Sequence, residues 1–169
     1  MTTGTSSLVQ RLWNRNECLY FSGVHYPDDS LVALRFERTS EVHVTSSVAE
    51  KISAADFASR DENLRIDLVA EEFPAPGGRV ILVGEGSGGS EGFVAVCSKE
   101  KANLIWLAFF DFSNPFEEGT FRMVDDQHFA ARTNHQAEWL FSIDDPTRIV
   151  VTRGDFGWPR WDFWPDEIP

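Results

Sequence analysis

Cysteine and positive charge are both scarce in this chain of 169 residues, and long apolar runs are absent. The two cysteines, Cys18 and Cys97, cannot make a disulfide framework for a chain of this length, and their separation matches no zinc-ligand spacing. Both read as buried thiols. With no charge-free apolar run of about 18 residues, a membrane-spanning helix is excluded. The opening Met-Thr-Thr-Gly-Thr-Ser-Ser lacks the basic start and apolar stretch of a signal peptide, so the expected compartment is the cytoplasm. Against 27 Asp plus Glu there are 15 Lys plus Arg, only three of them lysine (Lys51, Lys99, Lys101), for a formal charge of -12. That deficit argues against phosphate-backbone binding, which needs Lys and Arg to neutralise phosphates, and against anionic membranes. What is present is apolar: 42% hydrophobic and 13% aromatic residues suffice to bury a core, so the chain is globular rather than disordered.

The acidity is uneven. Residues 1–60 carry 7 acids and 6 bases, whereas residues 61–169 carry 20 acids and 9 bases, a net -11. Such a field attracts a basic protein and raises its association rate, although acidity also serves solubility alone.

Along the chain, Thr5 or Ser6 is placed to cap a short helix whose Leu8, Val9, Leu12 and Trp13 share one face. The runs Cys18–His25 and Leu31–Arg38 flank the Pro-led turn Tyr26-Pro27-Asp28-Asp29-Ser30 and read as a hairpin. Ser47-Val48-Ala49-Glu50 has capping-box spacing and opens an apolar periodicity at Val48, Ile52 and Ala55, predicting a helix over about residues 47–59. From Asn63 onward the pattern is strands and turns, including Arg79–Gly84, Phe93–Ser98, the continuous apolar run Leu104–Phe110, and four later runs ending at Arg148–Thr152. Nine or ten short strands at this spacing mean a mostly antiparallel sheet. The expected fold class is therefore α+β: one domain over residues 1–169, a large antiparallel sheet with one or two helices from the N-terminal third packed on it.

Motifs with chemistry are few. The stretch Gly84–Gly92 (GEGSGGSEG) is glycine-rich, but a strand rather than a helix follows it, no lysine accompanies it, and it carries Glu85 and Glu91. It reads as a flexible hairpin loop, not a nucleotide site. His25, His43, His128 and His135 fall in no metal-binding spacing, and no GxSxG elbow is present. Adjacent carboxylates occur at Asp28 and Asp29, Glu71 and Glu72, Glu117 and Glu118, Asp125 and Asp126, and Asp144 and Asp145. The run DFSNPFEE lacks the spacing and glycine of a calcium loop. No cofactor or metal is implied, and a non-enzymatic role is expected.

The least ordinary segment is the C-terminal tail, residues 153–169, which holds Trp158, Trp161 and Trp164 with Phe156 and Phe163, interrupted by prolines that forbid a regular helix. Either these aromatics fold back to close an open end of the sheet, or they stay exposed beside acids as an interface patch. The candidate partner-binding set is Asp155, Trp158, Trp161, Asp162, Trp164 and Asp166, joined by Asp125 and Asp126.

The stretch VILVGEGSGGSEGFVAV (residues 80–96) is similar to the glycine-rich hairpin of the SUKH class, and the layout resembles bacterial immunity proteins of polymorphic-toxin and contact-dependent inhibition systems. That resemblance implies a small acidic cytoplasmic protein that binds and neutralises one cognate toxin. The leading expectation is thus a binding protein that occludes the active site of a basic protein. A small hydrolase using His128 or His135 with a carboxylate in a sheet cleft is the alternative, and a DNA-mimicking inhibitor the third reading.

Overall fold

The computed structural model describes residues 6–58, 63–66 and 68–156. A six-residue helix α1 (Leu8–Trp13) leads into strands β1 (Glu17–Leu19), β2 (Gly23–His25), β3 (Ser30–Arg38) and β4 (His43–Ser53), a five-residue helix α2 (Ala54–Ala58), and β5 (Asn63–Arg65). There follow β6 (Leu68–Ala75), β7 (Arg79–Glu85), β8 (Gly92–Ser98), β9 (Leu104–Phe110), β10 (Arg122–Met123), β11 (His128–Arg132), β12 (Glu138–Ser142) and β13 (Ile149–Thr152). Eleven strands form one sheet in the order β10-β11-β12-β13-β4-β3-β2-β9-β8-β7-β6, and β1 pairs with β5 separately. Every pairing is antiparallel.

The expected α+β class is wrong: the protein is mostly β, with 52% strand and 8% helix, and its sheet curls into a half-barrel. The misreading starts at residues 47–50. The capping-box residues lie inside β4, where Ser47 and Val48 face Arg35 and Leu34 of β3 and Glu50 faces Ala33 across a bulge. A long neighbouring strand with a complementary ladder outweighs a local cap signal, because propensity is a weak prior against tertiary pairing. The helix that does form, α2, begins only at Ala54, and the cap hydroxyl belongs to Ser53, which accepts from the Ala55 amide at 3.2 Å. Similarly α1 is capped by Ser7, whose Oγ accepts from the Gln10 amide, one residue beyond the expected cap.

Both faces of the sheet are covered, which explains the unbroken apolar run in β9. Trp106, Ala108 and Phe110 enter the inner core with Phe129, Trp139 and Phe141. Leu104, Leu107 and Phe109 enter an outer core closed by Val9, Leu12 and Trp13 of α1 together with Cys18, Leu19 and Ile66. A bulge between Val96 and Cys97 leaves Ile105 exposed and resets the alternation, so Leu104 and Leu107 share a face despite their spacing. The expected hairpin of Cys18–His25 with Leu31–Arg38 forms only in part: β2 pairs with β3, Val24 opposite Val32, whereas Cys18 and Leu19 belong to β1 and pair with β5.

The sheet does not close. Its terminal strands β6 and β10 approach each other, and side chains bridge the seam: Phe73 stacks on Phe121 with centroids 3.7 Å apart, and the Phe121 amide donates to the Glu71 carboxylate at 3.3 Å. Strand β6 carries Pro74, the charges Glu71 and Glu72, and a bulge between Val69 and Glu71. Those features discourage a further strand from adding to the edge. Among the described residues, no helix is long and apolar enough to cross a membrane.

Candidate functional site: an acidic cleft at the barrel seam

At the end of the seam where β7 turns into β8, the gap widens into an open cleft of about 740 Å³. Val69 and Ala70 of β6 form one wall, Glu85 and Gly89 the lip, and Pro115, Phe116, Glu117, Glu118 and Asn134 the other wall. The second wall is held firmly. Phe116 bridges to Thr133, the Glu117 amide donates to the Arg132 carbonyl at 2.9 Å, the Asn134 amide donates to the Pro115 carbonyl at 3.1 Å, and the Thr120 hydroxyl donates to the Glu117 carbonyl at 2.7 Å. Among the described residues no lysine or arginine pairs with Glu85, Glu117 or Glu118, and the one side-chain donor to Glu117 is the Gln136 amide at 3.4 Å. Three carboxylates therefore line the cleft with no counter-cation among the described residues. Such a cleft suits the stem and head of a basic side chain, the stem on Val69 and Pro115, the head between the acids.

The glycine-rich segment contributes the lip. Glu91, only 4% exposed, folds its carboxylate under the loop, where it accepts from the Ser90 amide at 3.2 Å. A Cβ on Gly88 would sit 2.0 Å from Glu91 Oε1, so glycine there is what admits the buried carboxylate. A loop with an acid folded beneath it repels phosphate, in keeping with its reading as a hairpin connection.

The structure separates the sequence-predicted site residues. Asp125 and Asp126 lie on the β10–β11 turn, joined to the β12–β13 turn by the bond from the Ile143 amide to the Gln127 carbonyl. Asp144 and Asp145 lie on that second turn. Asp155 follows β13 and sits at the other end of the same strands, where Gly154 packs against the backbone of His135, Gln136 and Ala137. Trp158, Trp161, Asp162, Trp164 and Asp166 lie outside the described residues. Asp125 accepts hydrogen bonds from the Gln127 and His128 amides and pairs with His128 Nδ1 at 2.9 Å; the Gln127 bond and then the imidazole hold its carboxyl below the usual range. This acid-imidazole pair is exposed on a turn. His25 is buried, with Nε2–H donating to the Phe21 carbonyl at 2.8 Å, and desolvation pushes it down to about 4. Neither the seam cleft nor a second cleft beside α1 has a histidine in its lining. No group of three or more His, Cys, Asp or Glu side chains is placed to hold a metal among the described residues, and Asp111, in the weighed calcium run, instead accepts from the Ser22 hydroxyl.

Sequence reasoning singles out Glu118 only as one of an adjacent pair, Glu117 also within the calcium-like run DFSNPFEE, and Glu85 only as a loop acid. No local signal places them together, because their meeting depends on the curl of the sheet. Compared with known protein families and with curated proteins, the chain matches none.

Proposed function

We propose that this protein is a non-catalytic binding protein that captures a basic protein partner in the acidic seam cleft and blocks it, as an immunity protein neutralises its cognate bacterial toxin in the cytoplasm. The observation that carries this reading is the cleft itself: Glu85, Glu117 and Glu118 line a preformed concavity and lack a cationic partner among the described residues. Preformed walls lower the ordering cost of association, and an acidic rim on a chain of formal charge -12 speeds encounter with a cation-rich surface. The likeness of the glycine-rich hairpin to immunity proteins points the same way.

The test is affinity capture from the native host or coexpression with neighbouring gene products, repeated with Glu85→Gln/Glu118→Gln. A stoichiometric basic protein should be retained by the native chain, lost from the double variant by a factor of about 10 or more, and slowed in association by raising salt above about 0.3 M. Retention unchanged by both perturbations would place the interface elsewhere and refute the cleft.

A further inference from the structure

The two walls of the seam cleft come from different parts of the chain. Val69 and Ala70 lie on β6, whereas Pro115, Phe116, Glu117 and Glu118 lie in the connection from β9 to β10 and are held against β11. Among the described residues, the hydrogen bonds, ion pairs and ring contacts that join β6 to that connection all run through one residue, Phe121. Its ring stacks on Phe73 with centroids 3.7 Å and planes 8° apart, and its amide donates to the Glu71 carboxylate at 3.3 Å. Phe121 also stacks on Phe129 at 5.5 Å, and Phe129 on Phe141 at 5.3 Å, the latter two fully buried. One end of this ring ladder is therefore fixed in the inner core, and the other is Phe73 on the edge strand.

Both walls are coupled to the ladder. Glu71 directly follows Ala70, and Phe73 lies two residues further along the same strand. On the other side Thr120, next to Phe121, accepts from the Arg132 amide at 3.0 Å and donates to the Glu117 carbonyl at 2.7 Å. The far end of the seam is held differently, by the ion pair of Arg79 with Asp144 at 2.5 Å. Stacked rings sit at van der Waals contact, so losing one removes a spacer about 3.5–4 Å thick. A charge-assisted hydrogen bond holds only over about 2.7–2.9 Å, so a change of that size decides whether one cationic head reaches Glu85 on the β7 lip and Glu117 or Glu118 opposite.

We infer that Phe73 and Phe121 are positioning residues of the seam cleft: their stack is the spacer that fixes the distance between the β6 wall and the Glu117–Glu118 wall, and with it the separation of the acids that a basic side chain must bridge. The inference rests on the seam cleft being the partner site, but the spacing is measured without a partner and so stands or falls apart from the capture experiment.

The test is electron paramagnetic resonance on the full chain carrying nitroxides at Val69→Cys and Glu118→Cys, which face each other across the cleft. Cys18 and Cys97 are buried and stay unlabelled. A reference pair at Ser87→Cys and Lys99→Cys, on the turns before and after β8, does not span the seam. With both rings present the seam pair should give one narrow distance distribution. Phe73→Ala should displace or broaden it by about 3 Å, close to one van der Waals layer, while Phe73→Tyr, which keeps the ring, restores the native distribution. Phe73→Leu keeps apolar bulk without a flat ring; it should give a smaller displacement, and it carries the test if Phe73→Ala does not fold. The reference distance should stay the same throughout. A seam distance unchanged by loss of the ring, an equal change in Phe73→Tyr, or a matching movement of the reference pair would each overturn the inference.

Discussion

Two buried tryptophans of the inner core should respond unequally to the same substitution. Trp106 is 1% exposed and its Nε1–H donates to the Ile143 carbonyl at 2.7 Å, tying β9 to the end of β12 across the barrel. Trp139 is equally buried, packed among Phe36, Phe110, Phe116 and Phe141, yet its Nε1–H has no partner among the described residues. Replacing either with Phe removes roughly 40 Å³ of ring, about 1 kcal/mol at ~24 cal/mol per Å³ of cavity. At Trp106 the change also deletes a hydrogen bond and orphans a buried carbonyl, adding about 2 kcal/mol. At Trp139 it removes an unsatisfied donor whose burial costs about 1–3 kcal/mol, which offsets the cavity. Trp106→Phe should thus lose about 3 kcal/mol and Trp139→Phe stay within about 1 kcal/mol of the native protein. Equilibrium urea unfolding, followed by far-ultraviolet circular dichroism, measures both. Equal losses, or a larger loss at Trp139, would refute the reasoning, because the indole N–H would then contribute nothing at Trp106 or be satisfied at Trp139.

His25 has its folded pKa depressed to about 4 from 6.5, so as pH falls below 6.5 the unfolded chain takes up a proton that the folded one refuses; the contribution is full above 6.5 and lost down to about 4. Between pH 7.5 and 5 this should remove about 2 kcal/mol from the native protein but not from His25→Gln, compared by urea unfolding at the two pH values; equal pH slopes would contradict the assignment. Cys97 is raised to about 11 and Cys18 is raised further, burial being the main cause in each, so neither thiol should react with Ellman's reagent at pH 8 until denaturant is added. Gly154→Ala would place a Cβ 2.3 Å from the Gln136 carbonyl carbon and 2.5 Å from the His135 oxygen, both backbone atoms that cannot yield cheaply. Its melting temperature should fall by several degrees, whereas Gly89→Ala, with open space but φ of 80°, should cost only about 1 kcal/mol.

The strands from Arg79 onward were legible because each is bounded by turn residues and its β-rich pattern agrees with its final place. The tract 47–59 was not, since Ser47 and Glu50 satisfy a local helix rule while the decisive contact, the β3 ladder, lies outside any local window. A run such as Leu104–Phe110 announces burial on both faces but does not say what covers them. Here one face is the inner core and the other is roofed by α1 and the β1–β5 pair. Of the helix expected over residues 47–59 only Ala54–Ala58 is helical, so one capping motif overstates the helical share of the fold.

The candidate site was illegible for a related reason. Charge counting located the acidity beyond residue 60 but treated adjacent acids as one kind of feature, whereas the fold sorts them by what lies opposite. Glu72 meets Lys101, Asp144 meets Arg79, and Asp145 meets Arg148, so these acids are paired within the chain. Glu85 and Glu118 are unpaired among the described residues because the sheet stops short of closing and places two acid-bearing loops on either side of the gap. Closing the barrel by one more strand would fill that gap and leave no concavity for a partner's side chain. The same protected edge of β6 that keeps another strand from adding also keeps the cleft open, and this links the fold's incompleteness to the binding role proposed for it.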